Sequence, residues 1–142
     1  FLFTEAILNN KPINVFNNGD MIRDFTYIDD VVEAIVRLID RPPIYNNNFD
    51  SFDSNSSISS APYRILNIGN SNPTPLMDYI HAIENTLNIK AKINYLGMQM
   101  GDVKITSSNN DLLFKLINYR PRTSIKEGIL KFIEWYRDYY EI

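Results

Sequence analysis

The stretch Gly19-Asp-Met-Ile-Arg-Asp-Phe-Thr-Tyr-Ile-Asp-Asp30 constrains this chain more than any other part of it. Asn17-Asn18-Gly19-Asp20 is strong turn chemistry, because Asn and Gly tolerate positive φ. A short extended piece is predicted next, over Asp24 to Ile28. Two carboxylates, Asp29 and Asp30, then open an amphipathic helix whose Val31, Ala34, Ile35, Leu38 and Ile39 fall on one face at 3.6-residue spacing. Their place at a helix start predicts capping, with Asp30 and Glu33 spaced like a capping box. Pro42-Pro43 ends the helix. An arginine, Arg23, sits at the mouth of this turn–strand–helix unit.

Further elements flank it. Phe1 to Asn9 reads as the end of a helix, and Ile13-Asn14-Val15-Phe16 alternates as a short strand. Residues 44–62 are an Asn/Ser/Asp-rich stretch with Phe49, Phe52 and Ile58 as apolar anchors; a loop that long is functional or mobile. Arg64 to Gly69 is predicted as a buried strand. Thr74-Pro75 suits an N-cap and first helical position before the stripe Leu76, Ile80, Ile83, Leu87. Ala91 to Leu96 reads as a strand. Asn109 and Asn110 are predicted to cap a helix over Asp111 to Ile117. Ser124 and Glu127 form a capping box for a last helix burying Ile125, Ile129, Phe132, Ile133, Tyr136 and Tyr140. Helices alternate with short strands, so the fold class is α/β with an α+β-like character and too few strands for a full doubly wound sheet. Length predicts one domain, 1–142.

Several chemistries are excluded. The chain has no cysteine, which removes disulfides, thiolate catalysis and Cys-based zinc sites. The net charge is −3 without a Lys/Arg cluster, so nucleic acid and anionic membranes are not expected partners. No apolar run approaches the ~20 residues of a membrane span, and the N-terminus lacks the marks of a signal peptide, which fits a cytoplasmic protein. The N-terminus begins inside a helix without an initiator Met, as a fragment would.

The glycines at 19, 69, 97, 101 and 128 make no Gly-x-Gly-x-x-Gly turn, and no Tyr is followed four residues later by Lys. Hydride transfer by this chain alone is therefore not expected, and no catalytic or cofactor-binding residue is assigned. His81 has no second His or Cys nearby and reads as a surface helix residue, so no metal site is assigned either. Arg23 is the favoured ligand residue, since a planar guanidinium matches the paired oxygens of a diphosphate. The bland alternative is a surface arginine paired with Asp20 or Asp24. Asp102, after Gly101 on a turn, could accept hydrogen bonds from vicinal hydroxyls.

Taken together these residues resemble the C-terminal, substrate-binding part of an extended short-chain dehydrogenase/reductase. The similarity is closest to UDP-glucuronate 4-epimerases of the capsular-polysaccharide type. It is carried by Phe3 to Leu8, Lys11-Pro12-Ile13, the Gly19–Asp30 motif, Ala61-Pro62-Tyr63-Arg64 with Asn67 to Asn70, Met98 to Val103, Tyr119-Arg120-Pro121 and Glu134-Trp135-Tyr136. The resemblance implies that Arg23 binds the UDP diphosphate and Asp102 the uridine ribose. Val15 and Phe16 would lie beside the uracil, largely through backbone groups. Gln99 would stand where galactose-type epimerases carry an arginine. Ser107-Ser108-Asn109 departs from an aromatic-Ala-Asp run, which is expected to weaken a helix cap.

It further implies that NAD, the catalytic residues and the dinucleotide-binding Rossmann half belong to polypeptide this chain lacks. The chain would then bind a UDP-sugar, pair with that half, self-associate in its absence and be inactive alone. Two alternatives stay open: a non-catalytic remnant, and the same part of a dehydratase or reductase.

Overall fold

A computed structural model of the protein describes residues 1–50, 52 and 57–142. The expectation of mobility within 44–62 falls partly on residues outside those described. The chain packs as two compact units: the first comprises 1–25, 72–107 and 123–142, the second 26–71 and 108–122. Length alone suggests one.

In the first unit, helix α1 (Leu2–Leu8) leads through Asn10, which turns the chain at φ 56°, into strand β1 (Pro12–Val15). The period-two pattern works as read: Ile13 and Val15 are buried while Pro12 and Asn14 face out. β1 pairs in parallel with β4 (Lys92–Tyr95), in a register that sets Ile13 opposite Ile93. Two helices cover this pair. In α3 (Leu76–Leu87), Ile80, Ile83 and Leu87 are buried; in α5 (Ile125–Tyr140), Ile129, Ile133 and Tyr136 are. Ile7, Ile13, Val15, Ala82 and these side chains other than Tyr136 form one continuous core. The Ser124 hydroxyl accepts from the Glu127 amide at 3.2 Å and caps α5, as its spacing predicts. Tyr140, predicted to face the core, is exposed near the helix end.

A one-turn 3-10 segment (Phe16–Gly19) follows β1, with Asn17, Asn18 and Gly19 all at positive φ. It delivers the chain into β2 (Ile22–Arg23), which pairs antiparallel with β3 (Thr74–Pro75). Two expectations are corrected here. The extended piece lies at 22–23 rather than 24–28, because its partners are β3 and Ile105. Thr74-Pro75 forms that strand rather than an N-cap, and the Thr74 hydroxyl donates to the Asn72 carbonyl at 3.0 Å instead of capping α3.

The second unit contains α2 (Ile28–Ile39) and α4 (Asp111–Ile117), which pack together. α2 begins two residues earlier than its carboxylates suggest, with Tyr27 at the cap position and no capping side chain. Asp30 is no cap: it is buried, and its two oxygens accept from the Tyr119 hydroxyl (2.8 Å) and the Arg122 amide (3.2 Å). Arg37 lies 4.7 Å over the Tyr119 ring and also pairs with Glu33 at 2.6 Å. Asp30 and this network hold the stretch after α4 against α2.

Arg64–Gly69 is not a buried strand. It carries one bridge, Ile58 to Arg64, and Ile65 is half exposed, since no described strand of this chain lies alongside to complete a ladder. Gly69 is buried and clamped from both sides by the Asn110 carboxamide. Phe52 is almost wholly exposed and anchors nothing. α4 has Asn110 at its cap position, with the Asn110 side chain spent on Gly69 and no side-chain cap bond; Asn109 accepts from the Asp111 amide at 2.8 Å in the turn just ahead of the helix.

Candidate functional site

β2 builds the site. The amide of Ile22 donates to the Lys104 carbonyl at 2.9 Å and its own carbonyl accepts from Thr106 at 3.2 Å, so residues 104–106 run alongside β2. The Asp24 amide extends this seam to the Thr106 hydroxyl at 3.1 Å. Phe25 stacks flat on Tyr79 of α3, rings 4.3 Å apart and 4° from parallel. Burial raises the Tyr79 phenol above its usual pKa, as for a ring covered on its face.

Two of the predicted site residues meet. The Arg23 guanidinium donates through Nη2 to Asp102 Oδ1 at 2.9 Å, and through Nη1 to the carbonyls of Ile22 (2.9 Å) and Lys104 (3.1 Å). Its side chain is only 22% exposed, against 33% for Asp102. A guanidinium held at three points keeps a fixed orientation, which a flexible surface arginine does not. Asp20, one of the two expected alternative partners, pairs with Lys104 at 2.5 Å instead. Asp102 follows a turn closed by its amide on the Gln99 carbonyl (3.2 Å), and its Oδ1 also accepts from the Val103 amide at 2.7 Å. Gly101 at φ +83° is where that turn needs a left-handed residue.

The remaining predicted residues lie elsewhere in the first unit. The Val15 side chain is fully buried in the core, and its carbonyl is taken by the Leu96 amide at 2.9 Å. Phe16 is half-buried at the start of the 3-10 turn, and Gln99 is exposed. His81 is exposed on α3, at a 770 Å³ groove between α3 and the start of α5 that also includes Asp78 and Lys126. The sequence offers Asp20 as a partner of Arg23 and does not point to Lys104: the Asp20–Lys104 pairing spans the two segments that β2 brings together, and no local spacing signals it. No group of His, Asp or Glu among the described residues is arranged to hold a metal, and no helix among them is long and apolar enough to cross a membrane.

The profile of the NAD dependent epimerase/dehydratase family matches residues 1–47, which include the Gly19–Asp30 stretch. Protein CapI of Staphylococcus aureus is 47% identical over 141 residues, 99% of this chain and 42% of its own length. Over those first 47 residues the chain resembles the NAD dependent epimerase/dehydratase family, and CapI carries the similarity along the rest of it. A probable UDP-glucuronate 4-epimerase of Rhizobium meliloti is 41% identical, again across 99% of this chain and 41% of its length. The chain thus spans about two-fifths of the length of these curated relatives.

Its fold matches the UDP-glucuronic acid 4-epimerase of Bacillus cereus, solved with UDP-glucuronic acid and NAD. That match has a TM-score of 0.71 and 23% identity over 94% of this chain and 38% of the solved one. The mixed α/β architecture is accordingly the fold of part of that solved chain.

A dinucleotide cradle built from this chain's own residues would draw on its five glycines. Such a cradle needs a strand, a glycine-rich turn and a helix N-terminus in succession. Gly19 lies in the 3-10 turn, Gly97 and Gly101 in the loop after β4, Gly128 inside α5, and Gly69 is clamped by Asn110. None lies in a tight turn leading directly from a strand into a helix: Gly97 and Gly101 follow β4, but α4 begins only at Asp111. The residues present do not fit NAD through that motif.

Proposed function

We propose that this chain is the nucleotide-sugar-binding portion of a UDP-sugar 4-epimerase acting on UDP-glucuronate, in the supply of precursors for surface polysaccharide. The observation that carries the reading is the fixed Arg23–Asp102 pair at the seam between β2 and residues 104–106. An always-charged fork and a carboxylate 2.9 Å apart match neighbouring parts of a nucleoside diphosphate: the guanidinium suits phosphate oxygens, the carboxylate suits ribose hydroxyls. Names of relatives support the sugar: the probable UDP-glucuronate 4-epimerase of Rhizobium meliloti and the UDP-glucuronate 4-epimerases of Arabidopsis thaliana, the first of them 35% identical. CapI supports the polysaccharide context through its similarity alone.

In this reading the uracil lies against Val15 and Phe16, Gln99 faces the phosphates, and Arg23 and Asp102 hold diphosphate and ribose. The chain works in the cytoplasm, where nucleotide sugars are made. NAD and the acid–base residues come from the remaining polypeptide of the intact enzyme, with which this chain pairs. The chain alone binds and orients the nucleotide, holding its diphosphate at a defined place, and performs no hydride transfer.

Isothermal titration with UDP and UDP-glucuronate tests the reading, with circular dichroism establishing that the chain is folded. Saturable heat with both ligands is expected. A folded chain giving no heat at millimolar ligand would show it to be a non-binding remnant. Mixing the chain with a separately expressed dinucleotide-binding half and following UDP-glucuronate by NMR tests the reaction: UDP-galacturonate is the expected product, and a 4,6-dehydrated or reduced sugar would change the reaction class.

A further inference from the structure

Arg23 has a neighbour that the nucleotide reading does not use. Lys104 lends its carbonyl to the Arg23 guanidinium at 3.1 Å and to the Ile22 amide at 2.9 Å, so its backbone is fixed beside Arg23. Its ammonium reaches to Asp20, with Nζ 2.5 Å from Oδ2. The result is a four-charge cluster in which each cation already faces a carboxylate: Arg23 with Asp102, Lys104 with Asp20.

The two pairs differ in how firmly they are held. Arg23 is largely covered and donates to two carbonyls besides Asp102. Lys104 and Asp20 are 54% and 66% exposed, and their contact is a single Nζ–Oδ2 ion pair. An exposed ion pair contributes only ~0–1 kcal/mol, so it separates easily. A lysine carries a compact charge on a flexible four-carbon stem and can redirect its ammonium without moving its backbone.

A diphosphate brings more negative charge than Arg23 can offset while that guanidinium remains paired with Asp102. The nearest further cation fixed to the same seam is Lys104. Resting on the nucleotide reading above, we propose that Lys104 is a second diphosphate-binding residue of this site, parked on Asp20 until the ligand arrives. Binding transfers its ammonium from the Asp20 carboxylate to a phosphate oxygen, while Arg23 keeps its orientation. Asp20 acts as a competitor for Lys104 and so lowers affinity for anions that are too weakly charged to displace it. The preferred ligand is a nucleoside diphosphate over the nucleoside.

The experiment titrates the full chain with UDP and, separately, with uridine, followed by amide chemical shifts, for the unmodified protein and for Lys104→Met, Lys104→Arg, Asp20→Asn and Arg23→Met. Lys104→Met is expected to weaken UDP about tenfold, the effect of losing a hydrogen bond to a charged group, and to leave uridine unchanged. Lys104→Arg should restore most of the loss, and Asp20→Asn should tighten UDP by removing the competitor. Thermal midpoints of the Lys104 and Asp20 variants should match the parent, because the pair is exposed. If Lys104→Met binds UDP as the parent does while Arg23→Met does not, the Lys104 role is overturned and the nucleotide reading stands. If the parent itself binds no UDP, both are overturned.

Discussion

At Arg23 the decisive quantity is orientation. Three hydrogen-bond acceptors aim the guanidinium, and two of them are main-chain carbonyls that no side-chain substitution removes. Arg23→Ala should therefore weaken UDP by about 1.5–3 kcal/mol, the range for a hydrogen bond to a charged group; unchanged affinity in the titration would take Arg23 out of the site. The residue type and its place after a glycine turn were legible in the sequence. Its partner was not, because Asp102 lies 79 positions away and nothing in either local stretch declares the pairing.

Gly19 supports the same unit from behind. Its φ of +84° is left-handed, and a Cβ there would come 2.9 Å from Met77 Sδ and 3.2 Å from Met77 Cγ. Gly19→Ala meets both penalties, and a loss of about 1–3 kcal/mol in chemical denaturation is expected. The flexible Met77 side chain can relieve the overlap but not the backbone strain. An alanine variant as stable as the parent would mean the turn at 17–19 had rearranged.

Among the elements, those whose apolar residues meet partners inside the first unit were readable. From their predicted stripes α3 buries Ile80, Ile83 and Leu87 and α5 buries Ile129, Ile133 and Tyr136, with Tyr140 running past the core, and β1 alternates as its pattern requires. Elements defined by a distant partner were not. Thr74-Pro75 looks like a helix start, yet becomes a strand because β2 pairs with it. Arg64–Gly69 has the composition of a strand and lacks one to pair with among the described residues. Asp30 looks like a cap, yet it is a tertiary acceptor, since only the folded chain brings Tyr119 to it.

That last contact gives a pH prediction for the second unit. Burial first, then the hydrogen bond to Asp30 and its charge, push the Tyr119 phenol from 10 up to about 12. The folded state therefore keeps a proton that the unfolded state loses. The stabilisation is complete below pH 10 and disappears as pH rises toward 12. Tyr119→Phe should lower stability at neutral pH because the buried Asp30 Oδ1 loses the phenol hydrogen bond, and should remove this tyrosine's share of the alkaline loss. Denaturation midpoints measured across pH 9 to 12 check it. Parallel curves for parent and variant would mean that the phenol titrates alike in both states.

At the scale of the whole molecule, the second unit leaves a marked apolar surface on α2. Ile28, Val32, Ile35, Val36 and Ile39 are each between 49% and 70% exposed. Their spacing places them along one side of the helix, distinct from buried Ala34. Exposed apolar stripes of that extent mark interaction surfaces or aggregation liabilities in soluble proteins. The relatives are more than twice as long as this chain, so the occupant we propose for the stripe is the remaining polypeptide of the intact enzyme. The same composition explains why the sequence suggested an ordinary amphipathic helix: Val31, Ala34 and Leu38 widen the apolar side beyond the exposed stripe, and periodicity alone does not say which of these residues this chain covers.

Without that polypeptide, the stripe should drive association between copies. Sedimentation velocity is expected to show species heavier than the 16.5 kDa monomer, growing with concentration. Ile35→Glu combined with Ile39→Glu should return the chain to monomer with its circular dichroism intact, because both positions are already solvated in the monomer. Adding a separately expressed dinucleotide-binding half should have the same effect on the parent by covering the stripe, and should fail to capture the double variant. A parent chain that stays monomeric at high concentration, or a double variant that still binds the added half, would move the interface away from α2.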